Sequence, residues 1–590
     1  MATEVVVPML GFSNEKGKIV KWLKSEKDFV KKGEPIFELE TDKVVTEIES
    51  PATGILKKIL IPEGQEVPVL TVVAVITEKG EKLPEKYRAA RLEVPLRPPS
   101  PFTLQKPASK PSSVASSGAS KESYHIAILG AGPGGYVAAI RAAQMGARVL
   151  LIEKGDLGGT CLNRGCIPTK SFLSDIKIYR KVRDSDLFIN GAKVSIDLTK
   201  MISRKNRVVE TMKRGTSSLL QNQGINLVKG FGRFLDSKKI EVSSNGRGKI
   251  YQAKNVIVAT GSRPASLPTI KIDGKMIISS NEALDLKRIP KHLLIIGGGI
   301  VGVEFATIFR GLGARVIVLE MLPQIVSNED EEVIRGLRML LEKEGIEILT
   351  RAKVLGASLK KNSVEVMVDR EGKKEKFSGE KVLMAVGRSP NTEGFHLEKT
   401  GVEMEAGFIK VNSKMETNVE GVYAIGDVTG KMMLAHAASA EGITAVENIM
   451  GKVREMDYQK VPSCIYTFPE VASVGLNESE AKRKGYDIQV GKFPFLNSGK
   501  AWTMGEPEGF VKIIAEKELG QILGVHILGE HATELIGECL LAMNLEASIE
   551  DLGEVVKGHP TLSETVTEAA LDWQKKAILM TGVSSWQEEN

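Results

Sequence analysis

Two stretches of the chain repeat one order of features, and this repeat constrains the fold more than any other property of the sequence. Each stretch runs from an apolar strand through a glycine-rich turn and a helix to a second strand that ends in an acid. The glycines and acids are Gly130, Gly132, Gly135 and Glu153 in the first stretch, and Gly297, Gly299, Gly302 and Glu320 in the second. Strand, helix and strand in this order predict two parallel α/β units.

Glycines in such a turn let the backbone approach a pyrophosphate closely at the N-terminus of the following helix. The acid at the end of the second strand can accept hydrogen bonds from ribose hydroxyls. Two complete sets predict two bound dinucleotides, although two glycine-rich turns without a ligand remain the alternative. A carboxylate at Glu320 repels a 2′-phosphate, so the second site favours NAD over NADP.

Composition limits the class of protein. A chain of 590 residues is too long for one core at ~100–200 residues per domain. With 42% hydrophobic and 26% charged residues, it is neither disordered nor fibrous. The net charge of +6 is too small to indicate nucleic-acid binding. Since no apolar run approaches ~18 residues, we expect no membrane span and no membrane partner.

The cysteines and the N-terminus indicate the compartment. Four cysteines in the whole chain do not make a secreted disulfide framework. The first residues, MATEVVVPML, lack the basic start and apolar stretch of a targeting peptide and suit a β-strand instead. We therefore expect a cytoplasmic protein.

Residues 1–80 predict an all-β module, because short alternating strands follow one another with turns between them. The segment VKKGEPIFELET is echoed by IPEGQEVPVLTV, which suggests two similar half-sheets packed face to face as a flattened sandwich. Polar residues 41–44 form the predicted tip of a hairpin, with Lys43 pointing into water.

Residues 81–122 are predicted to be a flexible linker. The stretch from Pro95 to Lys121 is rich in Pro, Ser and Ala and has little apolar surface to bury, so it cannot offset the entropy of ordering. A long tether suggests that the module it carries must travel, and an inert spacer is the alternative.

Two cysteines, Cys161 and Cys166, lie a few residues after the first acid in the stretch GGTCLNRGCIPTK, so they are expected beside the first dinucleotide. At this spacing the pair can close a redox disulfide, and a helix N-terminus would lower a thiol pKa. A metal half-site or two buried thiols are the alternatives. A metal would need two more ligands, and Cys464 and Cys539 are distant in sequence without close partners.

Two further motifs carry acids. In HPTLSE, Glu564 can reach back to His559, fix its tautomer and raise its basicity, with Pro560 in the first helical turn. Asp427 ends the strand AIGD, where it can hold a ribose or polyol hydroxyl. Each motif alone is also compatible with a purely structural turn.

Taken together, the motifs resemble the flavoprotein disulfide reductases, most closely the dihydrolipoamide dehydrogenases. The resemblance rests on GGTCLNRGCIPTK, the two glycine turns, ATGS at 259–262, AVGR at 385–388, AIGD at 424–427, LAH at 434–436, YTFPEVASVG at 466–475 and HPTLSE at 559–564. It implies an FAD-binding domain at 123–270, an NAD-binding domain at 271–393, a central domain at 394–463 and an α+β dimerisation domain at 464–590. It also implies a homodimer.

The resemblance assigns roles residue by residue. Cys161 would exchange with the substrate thiol, Cys166 would contact the flavin as a charge-transfer thiolate, and His559, oriented by Glu564, would be the base from the partner subunit. Positions implied for FAD are Gly130, Gly132, Gly135, Glu153, Gly159, Thr160, Lys170, Gly232, Asp427 and Ala435. Positions implied for NAD are Gly297, Gly299, Gly302, Glu304, Glu320, Val354 and Gly387. No metal is expected, and Arg164 departs from the small apolar residue common in relatives.

The N-terminal module resembles a lipoyl domain. Residues 40–44, ETDKV, match the lipoylation hairpin, which implies a lipoyl group bound covalently to Lys43. Biotin-carrying relatives have Met on both sides of the lysine, whereas Asp42 and Val44 stand here. A solvated lysine without modification is the alternative.

The expected activity is oxidation of protein-bound dihydrolipoyl groups with reduction of NAD⁺. The expected partners are the acyltransferase and decarboxylase components of a 2-oxo acid dehydrogenase complex. The alternatives are a reductase for glutathione or mercuric ion, or a non-catalytic lipoyl carrier that acts as a scaffold. The absence of cysteines before Cys161 and after Cys539 disfavours a mercuric reductase, and Glu320 disfavours the NADPH preference of a glutathione reductase.

Overall fold

A computed structural model describes residues 3–7, 16–40, 45–68, 71–78, 81, 123–183, 194–244 and 246–580. The chain divides into two compact units, Met1–Gly118 and Ala119–Asn590, and each is described by itself. Lys43 and the Pro95–Lys121 stretch lie outside the described residues. The finer domain boundaries remain predictions.

The described part of the first unit consists of β-strands. They are β1 (Thr3–Val6), β2 (Lys16–Trp22), β3 (Phe29–Val30), β4 (Pro35–Glu40), β5 (Val45–Glu49), β6 (Gly54–Ile59), β7 (Glu66–Pro68) and β8 (Val72–Thr77). They form two four-stranded sheets, in the orders β1-β8-β6-β3 and β5-β4-β2-β7. Alternate residues such as Ile19, Phe37 and Leu56 are fully buried and share one core. The predicted sandwich is confirmed, and the short strands β3 and β7 are additions to it.

The second unit begins with the first nucleotide-binding domain. Its elements are β9 (Ser123–Leu129), α1 (Pro133–Gln144), β10 (Val149–Glu153), α2 (Gly159–Arg164), α3 (Cys166–Arg183), α4 (Leu198–Asn222), β11 (Asn226–Lys229), β12 (Phe231–Asp236), β13 (Lys239–Ser244), β14 (Arg247–Val258) and β15 (Ser262–Pro264). Strands β9, β10, β11 and β14 are parallel neighbours, and the antiparallel pair β12 and β13 extends the sheet beyond β14.

The second nucleotide-binding domain repeats this arrangement. Its elements are β16 (Ile277–Ile278), α5 (Ser280–Ala283), β17 (His292–Ile296), α6 (Ile300–Gly311), β18 (Arg315–Leu319), α7 (Glu331–Lys343), β19 (Ile346–Leu349), β20 (Ala352–Leu359), β21 (Val364–Arg370), β22 (Lys373–Gly379), β23 (Lys381–Met384) and β24 (Arg388–Pro390). The parallel sheet has the order β16-β23-β17-β18-β19. Strand β18 ends at Leu319, so Glu320 follows the strand directly instead of closing it.

The remaining elements complete the first sheet and form the C-terminal domain. They are β25 (Met404–Glu405), β26 (Phe408–Ile409), β27 (Val422–Ala424), α8 (Ala435–Ile449), β28 (Ser463–Ile465), β29 (Glu470–Gly475), α9 (Glu478–Arg483), β30 (Ile488–Pro494), α10 (Gly499–Met504), β31 (Phe510–Glu516), β32 (Ile522–Gly529), α11 (Ala532–Asn544), α12 (Ile549–Glu554) and α13 (Glu564–Trp573). Strand β27 pairs with β14 in the first domain.

The C-terminal domain is an antiparallel sheet, β28-β29-β32-β31-β30, with helices packed on it. The expected sequence of two Rossmann-like domains and an α+β domain is therefore confirmed. Helix α13 begins at Glu564, so Pro560 lies before the helix and not in its first turn, contrary to the prediction. In the part of the chain that the structure describes, no helix is both long and apolar enough to cross a membrane.

Candidate active site

The two cysteines of the redox motif lie on either side of a helix break. Cys161 belongs to α2 and Cys166 is the first residue of α3. A Cβ on Gly165, between them, would lie 3.0 Å from the carbonyl oxygen of Thr160 and 3.1 Å from the Cα of Cys161. Both cysteines are free thiols in the structure, and a hydrogen bond joins their side chains. The break therefore brings the two sulfurs together.

The hydrogen bond between the sulfurs shifts the pKa values of the two thiols in opposite directions. Accepting it from Cys161 lowers the pKa of Cys166 to about 7, against the effect of burial, and the charge of Lys170 lowers it further. Donating the hydrogen bond and burial raise the pKa of Cys161. Of the two thiols, Cys166 therefore loses its proton first, and Cys161 keeps its own to donate to the Cys166 thiolate.

Lys170 lies one helical turn after Cys166 and connects it to the second nucleotide-binding domain. Its Nζ is 2.8 Å from both carboxylate oxygens of Glu304 in α6, a side chain that is 7% exposed. Tyr466 donates its backbone N–H to the same carboxylate over 3.0 Å, and its ring centroid lies 4.3 Å from Nζ. Lys170 and Glu304, which the sequence assigned to different nucleotides, therefore form one contact between the two domains.

The glycine turns fit dinucleotides in two ways. Gly130 and Gly297 have φ values of +106° and +107°, and a Cβ at either would collide with a backbone carbonyl oxygen. Gly132 and Gly299 have ordinary φ values of −72° and −73° and stand at the N-termini of α1 and α6. A Cβ at Gly132 would meet only Gly159, at 3.9 Å, and one at Gly299 would meet nothing within 4 Å. These two glycines leave room for a group that the protein does not supply, as a pyrophosphate requires.

The two acids take the same position beside their turns. Glu153 accepts the backbone N–H of Ala131 over 2.7 Å, and Glu320 accepts that of Gly298 over 2.5 Å. The second oxygen of each carboxylate accepts an N–H two residues further along the chain. Each carboxylate keeps lone pairs for a hydroxyl group, so the predicted ribose contact fits both positions.

Asp427 joins three motifs that are far apart in sequence. The Ser262 hydroxyl donates a hydrogen bond to Asp427 Oδ2. Arg388 donates from Nε to Ser262 Oγ over 2.6 Å and lies 3.4 Å from the same carboxylate oxygen. Sequence reasoning missed Ser262 and Arg388 as site residues, although both belong to short motifs, ATGS and AVGR, that it used for the resemblance.

The remaining predicted positions take different surroundings. Gly159 packs on the first turn, since a Cβ there would lie 2.7 Å from the Cα of Gly132. Gly232 faces the core, with Leu129 and Ile152 against it, so only its backbone can reach a ligand. Of the other predicted positions, Thr160 lies in α2, Ala435 begins α8, Val354 lies in β20 and Gly387 precedes β24.

His559 and Glu564 form the predicted pair. His559 Nδ1 is 2.9 Å from Glu564 Oε1, and Thr561 donates its N–H to Oε2 over 2.8 Å. Burial raises the pKa of Glu564, but the Thr561 N–H and His559 more than offset it and hold the pKa below its usual range. The His559 side chain is 79% exposed. Its other ring nitrogen is therefore available to a group outside its own chain.

Two open points of the sequence concern the redox turn. Arg164 is exposed at the C-terminal end of α2. Among the residues that the structure describes, no group of three or more His, Cys, Asp or Glu side chains is arranged to hold a metal ion. The metal half-site considered for the cysteine pair thus finds no further ligands there.

Comparison with known families agrees with this geometry. A protein-family model described as pyridine nucleotide-disulphide oxidoreductase matches residues 124–442, more than half of the chain. The chain belongs to this family. The family's dimerisation domain matches residues 461–570, and a biotin/lipoyl model described as biotin-requiring enzyme matches residues 3–76. The family uses FAD and NAD(H), and biotin/lipoyl domains carry their group on a lysine, so the predicted cofactor classes are confirmed.

Curated relatives of this pyridine nucleotide-disulphide oxidoreductase include a dihydrolipoyl dehydrogenase of Bacillus subtilis, 42% identical over 72% of this chain and 93% of that protein. A mitochondrial dihydrolipoyl dehydrogenase of Arabidopsis thaliana is 44% identical over 72% of this chain and 86% of its own length. A leghemoglobin reductase of Glycine max is 43% identical over 71% of this chain and 81% of its own length.

Among solved structures, LpdA of Mycobacterium tuberculosis is similar with a TM-score of 0.72 and 27% identity, over 76% of this chain and 99% of that chain. A flavoprotein disulfide reductase of Escherichia coli induced by HOCl is similar with a TM-score of 0.68 and 27% identity, over 75% of this chain and 99% of its own. The predicted family and fold class are confirmed.

Proposed function

We propose that this oxidoreductase oxidises dihydrolipoyl groups and reduces NAD⁺, as a dihydrolipoamide dehydrogenase. The observation that carries the proposal is the pair of adjacent cysteine thiols, which is held beside the first glycine turn and linked through Lys170 to the second nucleotide-binding domain. Such a pair exchanges with a dithiol substrate, and two nucleotide sites in one chain provide for an electron donor and an electron acceptor.

The thiol chemistry follows from the two sulfurs. In the oxidised protein, Cys161 and Cys166 share a disulfide bond. His559 of the partner subunit takes the proton of one substrate thiol, and the resulting thiolate attacks the sulfur of Cys161. The bond between the cysteines breaks, and Cys166 leaves as the thiolate that its lowered pKa favours.

The second substrate thiol completes the exchange. It attacks the substrate sulfur of the mixed disulfide, Cys161 leaves with the proton of that thiol, and the substrate departs as a cyclic disulfide. The substrate has lost two electrons and the cysteine pair has gained them. A bound FAD would supply the redox chemistry that accepts this electron pair from the cysteine thiolate and delivers it to NAD⁺ as a hydride. The role of Lys170 is to stabilise the Cys166 thiolate, and that of Asp427 is to bind the flavin.

The N-terminal module supports a lipoyl substrate. Asp42 and Val44 flank Lys43 where biotin carriers have Met, so we propose a lipoyl group on Lys43. A tether rich in Pro, Ser and Ala, such as the stretch from Pro95 to Lys121, would keep this group at an effective concentration of about mM. We further propose a homodimer that works in the cytoplasm with the acyltransferase and decarboxylase components of a 2-oxo acid dehydrogenase complex.

The test is an anaerobic titration of the purified full-length protein with dihydrolipoamide. The expected result is a flavin spectrum that bleaches on addition of the dithiol and recovers on addition of NAD⁺, with formation of NADH. A flavin that stays oxidised, or faster reduction of glutathione disulfide with NADPH, would contradict the proposal. The same titration with oxidised glutathione and each nicotinamide nucleotide serves as the control for substrate and cofactor preference.

A further inference from the structure

A buried carboxyl stands behind the turn that carries Asp427. Glu441 in α8 is 0% exposed. Its Oε2 accepts the backbone N–H of Gly426 over 2.5 Å, and its Oε1 accepts the hydroxyl of Tyr458 over 2.7 Å. Both oxygens therefore have one donor each, and one of those donors is the residue immediately before Asp427.

The surroundings of Glu441 are apolar. Fully buried side chains of the same core include Met415, Ile425 and Ala445. A leucine at this position would avoid the cost of burying a polar group, which is several kcal/mol without hydrogen bonds and is reduced only by good partners. A carboxyl therefore contributes here through its bonds to Gly426 and Tyr458, and not through packing.

Glu441 also lies close to the first glycine turn. Helices α1 and α8 pack tightly, since a Cβ on Gly134 would lie 3.0 Å from the carbonyl oxygen of Ala438 and one on Gly442 would lie 2.7 Å from that of Gly134. Gly134 is in the first turn of α1, at the end of the helix where the first dinucleotide is expected. Glu441 thus stands between the two parts of the chain that bind the flavin nucleotide.

Glu441 gains and loses its proton near neutral pH. Burial raises its pKa to about 7, the bonds from Tyr458 and Gly426 oppose this, and of the two nearby charges that of Asp427 raises the pKa and that of Lys431 lowers it. Burial and the charge of Glu441 raise the pKa of Tyr458, so the phenol keeps its proton and remains a donor. Tyr458 also lines a surface cavity of about 520 Å³.

We propose that Glu441, supported by Tyr458, is a positioning residue for the flavin: it holds the N–H of Gly426 and so fixes the direction in which Asp427 presents its carboxylate to the flavin. The inference rests on the proposed role of Asp427 and extends it to the residues that orient it. Glu441 is hydrogen-bonded to the residue before Asp427, so a negative charge on Glu441 adds to that of Asp427 and opposes the diphosphate of FAD, and flavin affinity falls as Glu441 loses its proton.

The test measures the Kd of FAD for the full-length apoprotein by quenching of flavin fluorescence, at about pH 6 and about pH 8. Glu441→Gln keeps one acceptor for Gly426 and a polar group for Tyr458 without a charge. Glu441→Leu removes both bonds, and Tyr458→Phe removes one. The matched control is Glu447→Leu, in the same helix, which loses its ion pairs with Arg141 and Arg454 but no bond to the flavin turn.

The expected result is a Kd raised by about tenfold or more in Glu441→Leu, near normal in Glu441→Gln and near normal in Glu447→Leu. The pH dependence of the wild type should disappear in Glu441→Gln. In Tyr458→Phe the midpoint of the pH dependence should move upward. The hydrogen bond from Tyr458 lowers the pKa of Glu441 in the wild type, so removing it raises that pKa.

Two results would overturn the inference while leaving the proposed function intact. One is a Glu441→Leu variant that binds FAD as the wild type does. The other is an equal loss of FAD affinity in Glu447→Leu, which would mean that any damage to α8 weakens flavin binding. A wild-type protein that binds no FAD would instead overturn the proposed function and this inference together. Thermal unfolding of each apoprotein checks that the variants are folded.

Discussion

Lys170 Nζ lies 2.8 Å from each carboxylate oxygen of Glu304, and this ion pair joins the redox helix to the second nucleotide-binding domain. The two members act on Cys166 with opposite sign. The positive charge of Lys170 lowers the pKa of the thiol, and the negative charge of Glu304 raises it. The ion pair thus adjusts how much thiolate the reduced protein holds near neutral pH.

Opposite shifts are therefore expected from the two halves of this pair. Lys170→Met should raise the pKa of Cys166 above its value of about 7, and Glu304→Gln should lower it. The measurement is the pH dependence of alkylation of Cys166 in the reduced protein, followed by mass spectrometry. Lys177→Met, in the same helix and paired with Glu530, is the control and should leave the profile unchanged. Shifts in one common direction would contradict the electrostatic account.

Cys166→Ser should abolish NADH formation from dihydrolipoamide and leave flavin bound, because the hydroxyl cannot share a disulfide with Cys161. Turnover and the flavin absorbance of the purified variant are the two measurements. Cys464→Ser, which changes a part-buried thiol outside the redox turn, should keep most of its activity. Normal turnover in Cys166→Ser would rule out a disulfide relay.

His559→Gln should lower kcat/KM for dihydrolipoamide by about 10²–10⁴-fold, the usual contribution of a general base. Glu564→Gln should cost less, because an amide oxygen still accepts from the imidazole. The pKa of Glu564 lies below the ordinary value of 4.5, so its protonation should not limit the rate at any pH above that value. The complete pH–rate profile checks this.

A mixed oligomer tests where His559 acts. Refolding Cys161→Ser chains together with His559→Gln chains should restore part of the lost activity, since one of the two sites in a mixed dimer would then have an intact cysteine pair and an intact histidine. No recovery in a proven mixed dimer would place the base within its own chain.

Lys43→Arg should spare the oxidation of free dihydrolipoamide and lower the flux through the assembled complex, because arginine cannot form the amide bond to lipoate. Intact mass should show the loss of one lipoyl group. The control is Lys57→Arg in β6, which should change neither the mass adduct nor the flux. Equal flux in Lys43→Arg and the wild type would remove the proposed role of the arm.

A buried ionic cluster fastens the second nucleotide-binding domain to the C-terminal domain. Lys512 is 2% exposed, and its Nζ lies 3.0 Å from Asp330 and 2.8 Å from Glu478. Lys512→Met leaves these carboxylates without their cation and should destabilise the protein by about 3–5 kcal/mol. The urea midpoint measures this, and Lys484→Met, at an exposed position, should change it little.

The same cluster predicts how the stability of the folded protein changes with pH. Burial raises the pKa of Asp330, but His526 and Lys512 more than offset it, so the folded pKa lies below 3.8. A lowered carboxyl pKa contributes stability that is fully present above the unfolded value and is lost as the pH falls through the folded value. The extra stability should therefore decline only below about pH 4, and Lys512→Met should flatten that decline.

Local patterns in the sequence predicted much of the fold and the centre of the site. A glycine turn between an apolar strand and a helix needs only adjacent residues, so both nucleotide turns and the Cys161–Cys166 turn could be located in advance. The His559–Glu564 pair was also accessible because the residues are five positions apart. The prediction that Pro560 lies in the first helical turn was wrong, because the helix begins only at Glu564. A His-Pro motif does not by itself mark where a helix begins.

Contacts between distant segments could not be predicted in this way. Lys170 and Glu304 are 134 residues apart, and Ser262, Arg388 and Asp427 meet only after three strands take their places in the fold. Glu441 did leave a signal. It lies four residues from both Ala437 and Ala445, which are fully buried, so the helical period already placed its side chain on the apolar face.

The φ angles of Gly130 and Gly297, the first glycines of the two nucleotide turns, agree within one degree. Both turns also leave the space at their second glycines, Gly132 and Gly299, open. Two turns with backbones this similar can each bind a diphosphate equally well, so the turns cannot discriminate between the two nucleotides. Selection of one over the other must come from side chains that reach the ends of each molecule. Evolution of altered coenzyme preference in such a chain would accordingly leave both turns untouched.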